Sequence, residues 1–182
     1  MSILPSLVQT ARTLEEAGCR LATPRKGSAW TTIRMGGVVG LVALAQDTDA
    51  LKAAWRYLCR SGRPFAVLGG GSNVILPDQA PDLTLLINQS RGIHAGDAGE
   101  LICQSGTPIS TLLRHCILEG RPALGFMAGI PGTLGGALAV NAGAWGKSIG
   151  DCATNLTVID QDGAQHDLPG SECGFGYRES CF

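Results

Sequence analysis

Two glycine-rich segments carry the chemistry this chain could do. The first is Gly69-Gly70-Gly71-Ser72-Asn73. The second is Gly129-Ile130-Pro131-Gly132-Thr133-Leu134-Gly135-Gly136, followed closely by Asn141-Ala142-Gly143-Ala144-Trp145-Gly146. No charged residue occurs from Pro122 to Gly146, and seven glycines fall between Gly125 and Gly146. Such bare chain presents backbone N–H groups, which converge on phosphates or lie flat against a planar ring. Ser72 and Asn73 add side-chain donors to the first segment, and Thr133 and Asn141 to the second. Taken singly, a triple glycine is also what a tight turn uses, and a glycine-packed crossing would explain the second run. Neither is a Gly-x-Gly-x-x-Gly fingerprint or a Walker loop. Two cradles in 182 residues point to one large, pyrophosphate-bearing ligand.

The elements that must position these segments follow from periodicity. Ile3, Leu4, Leu7, Val8, Ala11, Leu14 and Ala17 recur at helical spacing, and Gly18 is a C-terminal stop. The β-branched run Gly36–Ala45 predicts a buried strand. Thr48 is the expected cap of a helix with Leu51, Trp55 and Leu58 on its apolar face and Gly62 at its end. Strand Phe65–Leu68 then leads straight into the first glycine segment. Further strands are expected at Val74–Leu76, Leu83–Ile87, Leu101–Gln104 and Leu156–Ile159. Thr107-Pro108 reads as the start of a helix ending at Gly120, and Asp162-Gly163 as a two-residue hairpin turn before a strand at Gln165–Leu168. Strands and helices alternate in each half, so the expected class is α+β, built of two small α/β lobes. The expected division is an N-terminal helix (1–25), a first lobe (26–92) and a second (93–182), with the ligand held by both glycine segments.

Composition narrows the function. The chain is 45% hydrophobic, has a net charge of −1 and lacks a basic run, which suits a globular protein and argues against nucleic acid as a partner. The uncharged stretch 122–146 is too rich in glycine and proline for a membrane span. Seven cysteines without a Cys-x-x-Cys pair argue against a disulfide framework and a zinc site, and predict reduced thiols in the cytoplasm. No metal site is expected. His94, His115 and His166 stand apart, without ligand spacing.

At this level of detail the chain resembles the UDP-N-acetylenolpyruvoylglucosamine reductase (UDP-N-acetylmuramate dehydrogenase) family. Thr31-Thr32-Ile33-Arg34-Met35-Gly36-Gly37 is similar to the family's Asn-Thr-x-x-Ile-Gly-Gly, with threonine for asparagine and methionine for isoleucine. The first glycine segment is similar to its Gly-x-Gly-Ser-Asn loop. Ala128–Ala137 and Asn141–Gly146 resemble its longest motif, with Trp145 where tyrosine is usual and Gly125 where many members carry glutamate. Glu172-Cys173-Gly174-Phe175-Gly176-Tyr177-Arg178-Glu179-Ser180-Cys181-Phe182 is similar to its Glu-Cys-x-Phe-x-Tyr-Arg-x-Ser-x-Phe.

The resemblance implies a vanillyl-alcohol-oxidase/PCMH-type FAD-binding fold and non-covalent FAD. It places Gly69, Gly70, Gly71, Ser72, Asn73, Gly129, Ile130, Pro131, Gly132, Thr133, Gly135, Gly136, Asn141, Ala142, Gly143 and Ala144 at the cofactor. It further implies NADPH as hydride donor and the nucleotide sugar UDP-N-acetylglucosamine enolpyruvate as substrate, in peptidoglycan precursor synthesis. Tyr177 and Arg178 then hold the substrate. Arg178 is the expected catalytic residue, since hydride addition builds negative charge toward the substrate carboxylate and a fixed guanidinium stabilises it. On spacing alone Arg178 reads as a surface ion-pair partner of Glu179 or Glu172; the Tyr-Arg motif is what assigns it otherwise. The family's serine acid and C-terminal glutamate have no counterpart here, so the chain corresponds to the FAD-binding portion and is expected to be inactive alone. The alternatives are a stand-alone FAD-binding module and the FAD subunit of another oxidoreductase.

Overall fold

The computed structural model describes residues 5–182, and within them the chain is α+β, with helices flanking short sheets. Two compact units form, one of residues up to Ser90 together with Ile159–Ala164, the other of Arg91–Val158 and Gln165–Phe182.

The first unit is organised by a sheet of four strands. Helix α1 (Leu7–Glu16) is capped by Ser6, whose hydroxyl accepts from the Gln9 amide at 3.2 Å, and it turns out through Gly18 at φ +87°. Ile3 and Leu4 lie outside the described residues. Strands β1 (Arg20–Leu21), β2 (Val38–Ala45), β3 (Phe65–Leu68) and β4 (Gln79–Asn88) pair in the order β1-β2-β4-β3, with β1 antiparallel and the rest parallel. A parallel strand covered on both faces needs an unbroken apolar run. In β2, Ala43 and Ala45 face Leu14, Ala54 and Leu58, while Val42 and Leu44 face Leu68 and Leu76. The β2/β4 register shifts between Val39 and Leu41, where the carbonyl of Pro81 fills the space a Cβ at Gly40 would need. Proline within a strand is confined to such irregularities.

Helix α2 (Thr48–Ser61) is capped by Asp47 rather than Thr48: the Asp47 carboxylate accepts from the Ala50 amide at 2.8 Å, and a carboxylate is the stronger acceptor for a helix start. Gly62 closes the helix at φ +68°. Val74–Leu76 is no strand. Leu76 instead packs onto the sheet's second apolar face, close against Gly27 and Gly36. In the same unit the Trp55 indole donates to the Asp160 carbonyl at 2.6 Å and stacks edge-on to Phe65 at 5.4 Å.

The second unit has only two-stranded ladders among the described residues: β5 (Ile93–Ala95) with β6 (Leu101–Cys103), β7 (Gly143–Ala144) with β8 (Lys147–Ser148), and β9 (Asn155–Ile159) with β10 (Gln165–Pro169). Its core is Ile109, Met127, Ala137, Ala142 and Ile149. Helix α3 (Ile109–Leu118) is preceded by Pro108, and Thr107 does not cap it; the Thr107 hydroxyl bonds the main chain of Gly92, 3.2 Å away. Helix α4 (Leu134–Ala139) lies within the glycine run. The loop after β9 is longer than the two-residue turn expected from Asp162-Gly163, because the Asp160 carboxylate accepts from the amides of both Asp162 and Ala164 and rounds it off.

Candidate functional site

The Gly69–Asn73 loop leaves the C-terminal end of β3, where parallel strands place ligand-binding turns. Gly71 takes φ +63°, and a Cβ there would overlap the Trp30 carbonyl. Its own carbonyl accepts from the Thr32 amide at 3.0 Å, so the threonine motif and the glycine loop brace one another. The amides of Gly70, Gly71 and Asn73 donate to no main-chain carbonyl among the described residues. Gly70 and Asn73 are exposed and Ser72 half-buried.

The second segment divides into engaged and unengaged donors. Ile130 donates to Met127 at 3.0 Å, Leu134 to Thr107 at 2.9 Å and Gly135 to Ser105 at 2.7 Å, and Pro131 has no N–H. Gly135 therefore serves close packing: a Cβ would meet Ser105 at 2.9 Å. The amides of Gly129, Gly132, Thr133 and Gly136 have no main-chain acceptor among the described residues. Gly129 is exposed at φ +85°, and nothing lies within 4 Å of where its Cβ would be. That is open backbone against which a flat ring can rest.

Downstream, Asn141 organises a third region. It is 8% exposed, sits at φ +41°, and its side-chain amide works in both directions. Nδ2 donates to the Gly176 carbonyl at 2.8 Å, and Oδ1 accepts from the Gly150 amide at 3.0 Å. Ala142 is packed into the core, donating to Ala137 and accepting from Ile149, so it offers no donor to a ligand. Gly143 is required because a Cβ would overlap the Lys147 carbonyl across the β7/β8 ladder.

Asn141 thereby holds the turn that bears Tyr177 and Arg178. Gly176 and Glu179 exchange main-chain hydrogen bonds at 3.0 and 3.4 Å, leaving Tyr177 and Arg178 at the tip. Arg178 has φ +59°, a third-position turn conformation that favours glycine or asparagine. An arginine there costs about 1–2 kcal/mol. Backbone strain of this kind collects where a side chain must be aimed. Ser180 fixes the returning arm through its hydroxyl, which donates to the Ala139 carbonyl at 2.8 Å. Arg178 forms no ion pair among the described residues.

An open hollow of about 560 Å³ results, with Asn141, Gly143 and Ala144 on its wall beside Tyr177 and Arg178. Residues 129–136 are not on this wall. The sequence reading missed Lys147, Ser148, Asp151 and Phe175, which also line it. Ser148-x-x-Asp151 was legible as a capping box, and the Ser148 amide does donate to the Asp151 carboxylate at 2.7 Å. Tyr177 and Trp145 are 95% and 91% exposed, so both aromatic faces are open to a ligand.

Six of the cysteine thiols are not activated nucleophiles. Burial raises the thiols of Cys59, Cys103, Cys116, Cys152 and Cys173 above the ordinary range. Burial, helped by Asp47, pushes Cys19 up to about 11. Thiols so shifted stay protonated at neutral pH. Among the described residues there is no cluster that could hold a metal ion, and no helix long and apolar enough to cross a membrane.

A family described as FAD binding domain matches residues 39–169. The UDP-N-acetylenolpyruvoylglucosamine reductase of Anaeromyxobacter sp. (strain K) is 37% identical over 149 residues, which is 81% of this chain and 45% of that protein. The protein of the same name from Thermotoga sp. (strain RQ2) is 33% identical over 169 residues, 93% of this chain and 55% of the relative. The chain thus spans about half the length of the curated relatives it matches. The crystal structure of UDP-N-acetylenolpyruvylglucosamine reductase from Thermus caldophilus aligns with a TM-score of 0.72 at 28% identity, covering 90% of this chain and 57% of that one. A chitooligosaccharide oxidase shares the fold at 17% identity, with a TM-score of 0.69 over 90% of this chain and 37% of its own. The α+β, vanillyl-alcohol-oxidase/PCMH-type FAD-binding fold is the one these structures have in common.

Proposed function

Because this chain belongs to the FAD binding domain family, we propose that it is the FAD-binding portion of a flavoenzyme of the UDP-N-acetylenolpyruvoylglucosamine reductase type. The observation that carries the reading is Arg178, without an ion-pair partner among the described residues, in a left-handed turn position on the same hollow as Asn141, Gly143 and Ala144. Glycine would be the cheaper residue at that turn, so the guanidinium is there for its charge.

Each glycine segment, taken by itself, fits a part of FAD. The unengaged amides of Gly70, Gly71 and Asn73 suit a pyrophosphate, with Ser72 beside them. The open backbone at Gly129, and the amides of Gly132, Thr133 and Gly136, suit the polar edge and face of a flavin ring. FAD supplies two-electron hydride chemistry. The chain's own contribution is to bind and orient. Gly143 and Ala144 keep their part of the wall low, Tyr177 offers an exposed ring to a nucleotide sugar, and Arg178 balances the negative charge that grows toward the substrate carboxylate. Asn141 acts one step back, as a positioning residue for that turn. NADPH as the reductant, UDP-N-acetylglucosamine enolpyruvate as the substrate, non-covalent FAD and a place in peptidoglycan precursor synthesis complete the proposal.

Titration with FAD, followed by quenching of flavin fluorescence, tests the cofactor. Saturable binding that dialysis against denaturant reverses supports it, and no quenching by the folded chain overturns it. Anaerobic bleaching of the bound flavin by NADPH, with reoxidation by UDP-N-acetylglucosamine enolpyruvate in the complete enzyme, tests the reaction. Bleaching without any response to that substrate points to another oxidoreductase of this fold.

A further inference from the structure

The hairpin that presents Tyr177 and Arg178 has a cysteine at each end of its base. Cys173 closes the 3-10 turn Gly170–Glu172, and Cys181 follows Ser180 on the returning arm. The Cys181 amide donates to the Cys173 carbonyl at 2.9 Å, so the two residues face each other across the arms. A Cβ built on the neighbouring Gly174 would lie 3.9 Å from the Cys181 Cβ. A single N–H···O bond of 2.9 Å, with standard main-chain dimensions, holds the two Cα atoms within about 7 Å, the range a disulfide spans at ~4.4–6.8 Å. The Cys173 thiol donates to the Pro169 carbonyl at 3.4 Å; burial first, then the nearby Cys181 thiol, raises it. Cys173 is fully buried and Cys181 exposed. An accessible sulfur backed by a shielded one is the arrangement of an attacking and a resolving thiol.

We propose that Cys173 and Cys181 form a thiol–disulfide pair whose oxidation closes the base of this hairpin and fixes the turn carrying Arg178. The oxidant class is a low-molecular-weight disulfide. The exposed Cys181 thiolate attacks one sulfur of glutathione disulfide, breaking its S–S bond, expelling one glutathione thiolate and leaving a mixed disulfide on Cys181. The Cys173 thiol then gives up its proton to the departing glutathione as its sulfur attacks the Cys181 sulfur and expels that second glutathione. Two protein thiols lose two electrons and two protons, and glutathione disulfide leaves as two thiols. The tip of the hairpin is already tied by the Gly176–Glu179 pair and by Asn141. Among the described residues its base is held by the Cys181–Cys173 main-chain bond and the edge-on contact of the Phe175 and Phe182 rings at 6.2 Å, neither of them covalent. A covalent link there suppresses opening of the arms.

The test uses the reduced 182-residue chain, incubated with glutathione disulfide, alkylated and cut with trypsin. Cleavage after Lys147 and Arg178 gives peptides 148–178 and 179–182, which remain joined if the link forms. Cys152 lies in the larger peptide, so Cys152→Ser must keep the link, and Cys173→Ser and Cys181→Ser must each abolish it. Amides 174–180 are expected to exchange at least about tenfold more slowly in the oxidised chain, and no more slowly in treated Cys181→Ser. A link to Cys152, arrest at the glutathione adduct of Cys181, or unchanged exchange after linking overturns the proposal.

Discussion

Replacing Asn141 with alanine tests the idea that one buried amide places the Arg178 turn. The side chain donates to Gly176 at 2.8 Å and accepts from Gly150 at 3.0 Å. Each bond contributes about 1 kcal/mol net. Alanine also bears the left-handed penalty at φ +41° that asparagine tolerates, about 1 kcal/mol more. The sum is about 3 kcal/mol, which for a chain of this size lowers Tm by about 6–12 °C. Asn141→Gly loses the same bonds without the backbone penalty, so it should be about 1 kcal/mol milder than Asn141→Ala. Thermal unfolding by circular dichroism gives the ranking. Hydrogen exchange gives the location, since the Gly150 amide should lose protection while the Ala142 amide, bonded to Ala137 at 2.8 Å, keeps it. A Tm within about 2 °C of the parent, with Gly150 still protected, would refute the positioning role.

Three other outcomes are expected. Gly71→Ala forces a Cβ onto the Trp30 carbonyl at a positive φ, so FAD binding by quenching should be lost together with at least about 2 kcal/mol of stability in urea melts; retention of both would show that the loop yields. Arg178→Gly removes the strained turn residue and should raise Tm by a few degrees, while in the complete enzyme substrate-dependent flavin reoxidation slows about 10²–10³-fold; unchanged reoxidation would remove Arg178 from the mechanism. Finally, the Cys19 thiol is raised to about 11 in the fold, so the native state binds more protons than the unfolded chain between about pH 9 and 11. Its contribution is complete below pH 9 and is lost as pH rises, on the order of 2–3 kcal/mol by pH 11. Urea melts of Cys19→Ala should therefore show a flatter alkaline limb than the parent, and parallel limbs would contradict this.

Local rules made much of the fold readable. Phe65–Leu68, the helix ending at Gly62 and the strand ending at Ala45 appear where periodicity and stop signals put them, because those signals act over a few residues. Choices among near neighbours were not local. Asp47 outcompetes Thr48 for the helix cap, Thr107 turns to Gly92 instead of capping α3, and Val74–Leu76 covers a sheet face rather than joining the sheet. Nothing in the sequence assigns residues 159–164 to the first unit, since that rests on partners such as Trp55 far away in the chain.

The site divides the same way. Glycine content singled out both segments, since chain without Cβ atoms most readily takes the positive φ seen at Gly71, Gly129 and Gly132. Which amides remain unengaged was decided in part by tertiary partners: Ser105 claims Gly135 and Thr107 claims Leu134. Tertiary structure also brought Lys147, Ser148, Asp151 and Phe175 to the hollow and turned Asn141 inward to hold Gly176. Residue type fixes what a backbone can offer, but whether an N–H faces ligand or protein depends on carbonyls that only the folded chain brings within reach.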